Sequence, residues 1–287
     1  MPVTYVGGST SSSTVSATSR TLNMPPGVTD GDYGIVVFGR ASGTTTAPSG
    51  WTMLDEVTAG TAIGQIWVKA LSAGDAGTSI TFSISSTQRV TATLAVYRGV
   101  DAVGAHASGS NLGTSHPVPP VTADADDSCP VTLIFERSST PSTGFTAPSG
   151  YSSRAASFGD GSGACSSGIA DNLGALSADG DPVGAGSWTA TGSNTAIVWT
   201  LALPQGAASP LSGTLVLAPD SGVAPLSVSA TAVFTGGTGT PKEYRFVWGD
   251  GASTGWQSGG SATHVYEVAG NYTAAASNPV YVECRNT

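Results

Sequence analysis

The chain has 287 residues, 10 basic and 19 acidic side chains and a formal net charge of −9. That balance excludes a nucleic-acid partner, which needs a basic face to displace phosphate counterions. With 39% apolar and only 10% charged residues, the composition is also wrong for disorder, and no 18-residue apolar run exists to form a transmembrane helix.

Many short Thr/Val/Ser runs punctuated by Gly, Pro and Asp predict an all-β protein. The first eight residues carry neither the basic nor the apolar region of a secretory signal, so no export signal is expected. Val3 to Val6 reads as a short strand. Asp30-Gly31-Asp32 is a turn that starts the continuous apolar run Tyr33 to Phe38, suited to a strand covered on both faces. Trp51 to Val57 and Ile63 to Leu71 are the next strands. Ile80, Phe82 and Ile84 alternate with polar residues, and after a turn at Ser86-Thr87-Gln88 the residues Val90, Ala92, Leu94 and Val96 share a face.

The chain then repeats itself. Phe38-Gly39-Arg40 returns as Phe135-Glu136-Arg137, and Ala47-Pro48-Ser49-Gly50-Trp51 as Ala147-Pro148-Ser149-Gly150-Tyr151. Ala70-Leu71-Ser72-Ala73 returns as Ala175-Leu176-Ser177-Ala178, and Leu94-Ala95 as Leu201-Ala202. The offsets are 97, 100, 105 and 107 residues, as expected if residues were gained in loops and none within strands. An internally duplicated β-sandwich, jelly-roll or Ig-like, is therefore expected over residues 1–206, with repeats at about 14–100 and 113–206. At the last offset, Ile197, Trp199, Leu201 and Leu203 become the equivalent of the Val90 face. Small residues in one copy and large ones in the other fit complementary packing in a shared core, which is the favoured reading, and equally fit two separate sandwiches. Asp101 to Pro120 reads as a connecting loop. Gly159–Gly168 and Ala178–Gly186 read as long loops, and Gln205–Ser212 as the hinge to a second domain, 207–287.

In that last domain Leu226 to Phe234 alternates. So does Tyr244, Phe246, Trp248, ending at Gly249-Asp250-Gly251, followed by His264-Val265-Tyr266 and Gly270-Asn271-Tyr272. This resembles the PKD family of Ig-like sandwiches, with Val247 where the family has Asp. Thr273 to Asn278 is unusually small and polar for a last strand. Pro48 to Leu54 and Thr91 to Asp101 resemble a β-rich domain of minor tail proteins from phages of actinobacteria. The resemblance implies a virion protein, made in the host cytoplasm and working outside the cell without an export signal.

Chemistry-bearing residues are sparse. His106 and His116 fall in the connector; His116 precedes Pro117, which predicts an extended backbone and an exposed ring. His264 reads as a packing residue beside Tyr266. No nucleophile elbow, phosphate loop, zinc helix or Cys-x-x-Cys pair occurs, and Cys129, Cys165 and Cys284 are scattered. The acids sit mostly in turns, so a carboxylate pair of the glycosidase type is not expected. No catalytic residue, resident metal or cofactor is expected; Asp179-Gly180-Asp181 is the candidate turn if calcium binds. Trp51, Tyr151 and Trp188 read as core. Trp256, after the Gly-Asp-Gly turn, is the candidate surface contact for a sugar or partner. The expectation is a non-enzymatic structural virion protein, tail-associated, docking to other virion proteins as a homo-oligomer within the particle. A capsid decoration protein and an adhesin for host cell-surface glycan are the alternatives.

Overall fold

The computed structural model describes residues 2–12, 15–206, 212–235, 242–270 and 280–286. Contacts divide the chain into two units, Met1–Gly206 and Ala207–Thr287. Both are antiparallel β structures.

In the larger unit the first series of strands is β1 (Thr4–Ser11), β2 (Ala17–Asn23), β3 (Tyr33–Arg40), β4 (Thr45–Thr46), β5 (Thr52–Ala59), β6 (Ala62–Ala70), β7 (Ser79–Gln88) and β8 (Thr91–Arg98). The second is β9 (His106–Pro117), β10 (Val121–Thr122), β11 (Ser128–Ser138), β12 (Phe145–Thr146), β13 (Ser152–Ser157), β14 (Ala164–Asp171), β15 (Pro182–Val183) and β16 (Ser187–Pro204). The first series makes a five-stranded sheet, β1-β8-β3-β6-β5, and a three-stranded sheet, β2-β7-β4. The second series has the same five-strand order, β9-β16-β11-β14-β13. Its β16 runs on into a second layer, where it carries β12 on one side and the end of β9 on the other, matching the three-strand order. The step between layers is a bulge between Thr189 and Asn194, a usual way to bend a strand from one sheet into another.

The five-stranded sheets lie face to face. Ile35, Val37, Ile66 and Tyr97 from one pack with Leu133, Phe135, Ile169 and Trp199 from the other in a single buried cluster. Phe38, Trp67, Leu94 and Val96 point the other way, onto Leu22, Phe82 and Ile84 of the outer sheet. Ile134, Ala196 and Val198 pack outward onto Trp188. β3 and β11 are thus covered on both faces, which is why they read as unbroken apolar runs. The two series of strands share one core. The size complementarity is concrete: a methyl group on Gly39 would overlap the Phe135 ring, and one on Gly64 would overlap Trp199.

Three expectations need correction. Residues 106–117 are not a loop: β9 pairs with β16 along its length. Gly168 lies inside the buried strand β14, so the loop begun at Gly159 closes by Gly163. The Val90 and Ile197 faces are not equivalent, because Val90, Ala92, Leu94 and Val96 face the outer sheet while Ile197, Trp199, Leu201 and Leu203 face the other series.

The smaller unit contains β17 (Ser212–Ala218), β18 (Leu226–Thr235), β19 (Lys242–Val247), β20 (Ser261–Tyr266) and β21 (Tyr281–Asn286). A β17-β18-β20 sheet and a β19-β21 sheet enclose Val228, Ala230, Phe246, Trp248, Tyr266 and Val280. The alternation over Leu226 to Phe234 and over Tyr244 to Trp248 is what places these side chains inside. Asn271, Tyr272 and the segment Thr273 to Asn278 lie outside the described residues.

Candidate functional site

The Gly-Asp-Gly turn is built as the sequence pattern requires. Gly249 and Gly251 take φ of 80° and 97°, values a side chain disfavours, and the chain returns with Trp248 N–H donating to the Ala252 carbonyl. Asp250 Oδ2 lies 2.6 Å from His264 Nε2. The imidazole stacks on Trp248 at 5.0 Å and meets the Tyr266 edge at 4.8 Å, and the Tyr266 hydroxyl donates to the Trp248 carbonyl at 2.7 Å. Burial pushes the Asp250 carboxyl up, but the hydrogen bonds from His264 and the Ala252 N–H outweigh it, so its pKa falls below the usual value. The group closes a turn over a Trp ring. Trp256 is half-buried on the returning segment, between bridges at Ser253 and Gln257.

In the larger unit the predicted turn acids hold turns. Asp32 is buried under Arg98 and accepts from the Thr29 N–H; Asp75 binds Lys69 and the Ser72 N–H. In the calcium candidate, Asp181 accepts weakly from Ala178 N–H, Gly180 takes φ of 86°, and the Asp179 N–H donates to Asp126. Among the described residues no three His, Cys, Asp or Glu side chains form a metal-holding group. Cys129 and Cys165 are buried thiols whose pKa values burial pushes up to about 11 and about 12; Cys284 is half-buried.

His116 corrects the expectation of an exposed ring. Its backbone is extended in β9, but the side chain is fully buried, with Nδ1 2.9 Å from Asn111 Oδ1 and Nε2 without a partner among the described residues. The rule about residues before proline constrains the backbone and says nothing about what covers the ring. Burial lowers the His116 pKa below its usual 6.5. Above that pH both folded and unfolded chains are neutral there, so protonation contributes nothing to the stability difference. As pH falls below it, the unfolded chain takes up a proton that the folded one resists, and stability drops by at most about 1.4 kcal/mol per pH unit until the folded pKa is passed. His116→Gln is expected to flatten that part of the acid slope, read from urea midpoints at neutral and mildly acidic pH. Equal slopes in both proteins would contradict it.

Sequence reasoning missed two features. One is polar contact within the shared core: Ser167 Oγ lies 3.0 Å from Thr91 Oγ1 and 2.7 Å from Thr93 Oγ1, and Arg154 holds the fully buried Asp171 through two bonds of 2.7 and 2.8 Å. The other is an open pocket of about 440 Å³ at one end of the unit, where the β5–β6 turn, β9, the end of β11, the β13–β14 loop and the β16 bulge converge. Arg137 lies in it among Ser138, Thr140, Ser162, Asn194 and Thr195. No local pattern could reveal it, because five segments far apart in sequence supply the wall.

Comparison with protein-family models, with curated proteins and with solved structures found no match.

Proposed function

We propose that the chain is a non-enzymatic structural protein of a bacteriophage particle, tail-associated, whose PKD-like second unit presents a docking face to other virion proteins. The observation that carries this reading is the outer face of the β17-β18-β20 sheet. Thr214, Val216, Ser229, Thr231, Val233 and Val265 are all exposed there, and the valines show 60%, 57% and 44% of their surface. β-branched side chains on an uncharged sheet face cost little to desolvate, which is what protein–protein contact requires. The resemblance of Pro48 to Leu54 and Thr91 to Asp101 to minor tail proteins supplies the address. A second reading, adhesion to host-surface glycan, is favoured by the hydroxyl-lined pocket at Arg137, beside the hairpin tip at Gly159–Gly163.

Immuno-gold microscopy of intact particles with antibody to residues 209–287, checked by mass spectrometry of the particles, tests the proposal. Label at the tail is expected. Label over the shell would move the protein to capsid decoration, and absence of the chain from purified particles would sink both. A Val216→Lys/Val233→Lys variant is expected to fold as before and to be taken up into particles several-fold less well, since charge at the centre of a contact is penalised.

A further inference from the structure

Seven arginine side chains are described, and five pair with carboxylates: Arg40 with Glu56, Arg89 with Asp160, Arg98 with Asp32, Arg154 with Asp171 and Arg245 with Glu283. Arg20 donates to three backbone carbonyls. Arg137 differs from all of them. Its Nη1 donates to Thr61 Oγ1 at 2.7 Å, and among the described residues its buried Nε has no partner and no carboxylate oxygen lies within 4.0 Å of the guanidinium. In a chain of net charge −9 this is a cation left unneutralised, on the wall of an open pocket. A guanidinium carries five donors in a planar fork that matches a carboxylate.

The nearby acids are otherwise engaged. Asp160, two residues before Ser162 of the pocket, accepts from Arg89. Glu136 precedes Arg137 in β11 and so points to the opposite face of the sheet, where its carboxylate accepts from Ser142 and Asn194. Around Arg137 the wall is hydroxyl and amide: Ser138, Ser139, Thr140, Ser193, Asn194 and Thr195. Each hydroxyl both donates and accepts, as a sugar's own hydroxyls do. Leu112, 72% exposed, stands on the rim and offers an apolar surface to the C–H face of a ring. A volume of about 440 Å³ is within the small-ligand range of roughly 300–1,000 Å³.

We propose that this pocket binds a carboxylate-bearing sugar unit of a glycan, with Arg137 taking the carboxylate and the hydroxyl wall taking the ring hydroxyls. The inference rests on the adhesive reading given above. A phosphate dianion fits less well, because a single guanidinium faces it.

Titration of the full chain with glucuronate, glucose and inorganic phosphate, followed by calorimetry or ligand-observed NMR, tests the site. Glucuronate is expected to bind with a Kd on the order of 1 mM, glucose and phosphate at least roughly tenfold more weakly, since a charge-assisted pair is lost or the wall goes unused. Arg137→Gln is expected to lose roughly tenfold or more in glucuronate affinity, with Arg137→Lys in between and the thermal midpoints of both unchanged. Phosphate binding as tight as glucuronate, or glucuronate binding unaffected in Arg137→Gln, overturns the proposal, as does no glucuronate binding at all. Isolated cell envelopes separate the two layers of the argument. Envelope binding that survives Arg137→Gln keeps the adhesive reading and overturns the site, whereas glucuronate binding without envelope binding keeps the site and overturns the adhesive reading.

Discussion

Arg154→Met is expected to destabilise the larger unit by about 3–5 kcal/mol, the cost of leaving a buried charge without its partner. Asp171 is fully buried at the end of β14, and Arg154, 26% exposed at its side chain, reaches it with a two-pronged bond. The pair also joins the two series of strands. Tyr5 of β1 lies with its ring 4.8 Å from the Arg154 guanidinium and donates its hydroxyl to the Arg154 carbonyl. Burial, with the charge of Asp171 beside it, pushes the Tyr97 phenol well above its usual range, so Tyr97 stays neutral and cannot relieve the carboxylate by giving up a proton. Arg154 is part-exposed and can turn to water when Asp171 is removed; Asp171 has no such exit when Arg154 is removed. Asp171→Asn should therefore cost less than Arg154→Met, and the double variant less than the sum of the two. Urea unfolding of all three proteins measures this, with the larger unit followed by its own transition. A cost below about 1 kcal/mol for Arg154→Met would place the pair with ordinary surface bridges instead.

How much of this was legible varies with the kind of signal. Runs that alternate or are continuously apolar, such as Tyr33 to Phe38 and Ile80 to Ile84, follow from periodicity alone, because burial on one or two faces imposes it. Ser86, Thr87 and Gln88, expected as a turn, instead extend β7, with Gln88 paired to Ala17. Periodicity did not reveal β9, since its Gly, Ser, Asn and His residues carry no apolar period; the long partner strand β16 makes it a strand. The repeat was visible as matched words, but the words mislead about orientation. Phe38 and Phe135 match by identity at an offset of 97, yet Phe38 packs on Phe82 in the outer layer and Phe135 in the shared core. A pleated strand turns over with a shift of one residue, so an odd error in alignment reverses every side chain. The Arg137 pocket was invisible for a different reason: what marks it is a missing partner, and partners are set by the fold.

The corrected facing leads to the other large effect. Because Phe135 rather than Phe38 enters the shared core, Gly39 and Gly64 must leave room for it and for Trp199. Gly39→Ala is expected to cost about 1–3 kcal/mol or more, the usual penalty for overfilling a close-packed core, although alanine is ordinarily a better strand residue than glycine. Gly39 lies in the middle of the sheet, paired to Gly64 and Thr91 on either side, so the backbone cannot move away without breaking two ladders. Phe135→Leu alone should also be destabilising, because it opens space that the surrounding strands refill only partly. Together the two changes should be less harmful than their sum, by about 0.5–3 kcal/mol, because the shorter side chain makes room for the methyl group. Strict additivity in a double-mutant cycle would mean that Phe135 has somewhere else to go. The shared core would then not depend on large residues of one series meeting glycines of the other.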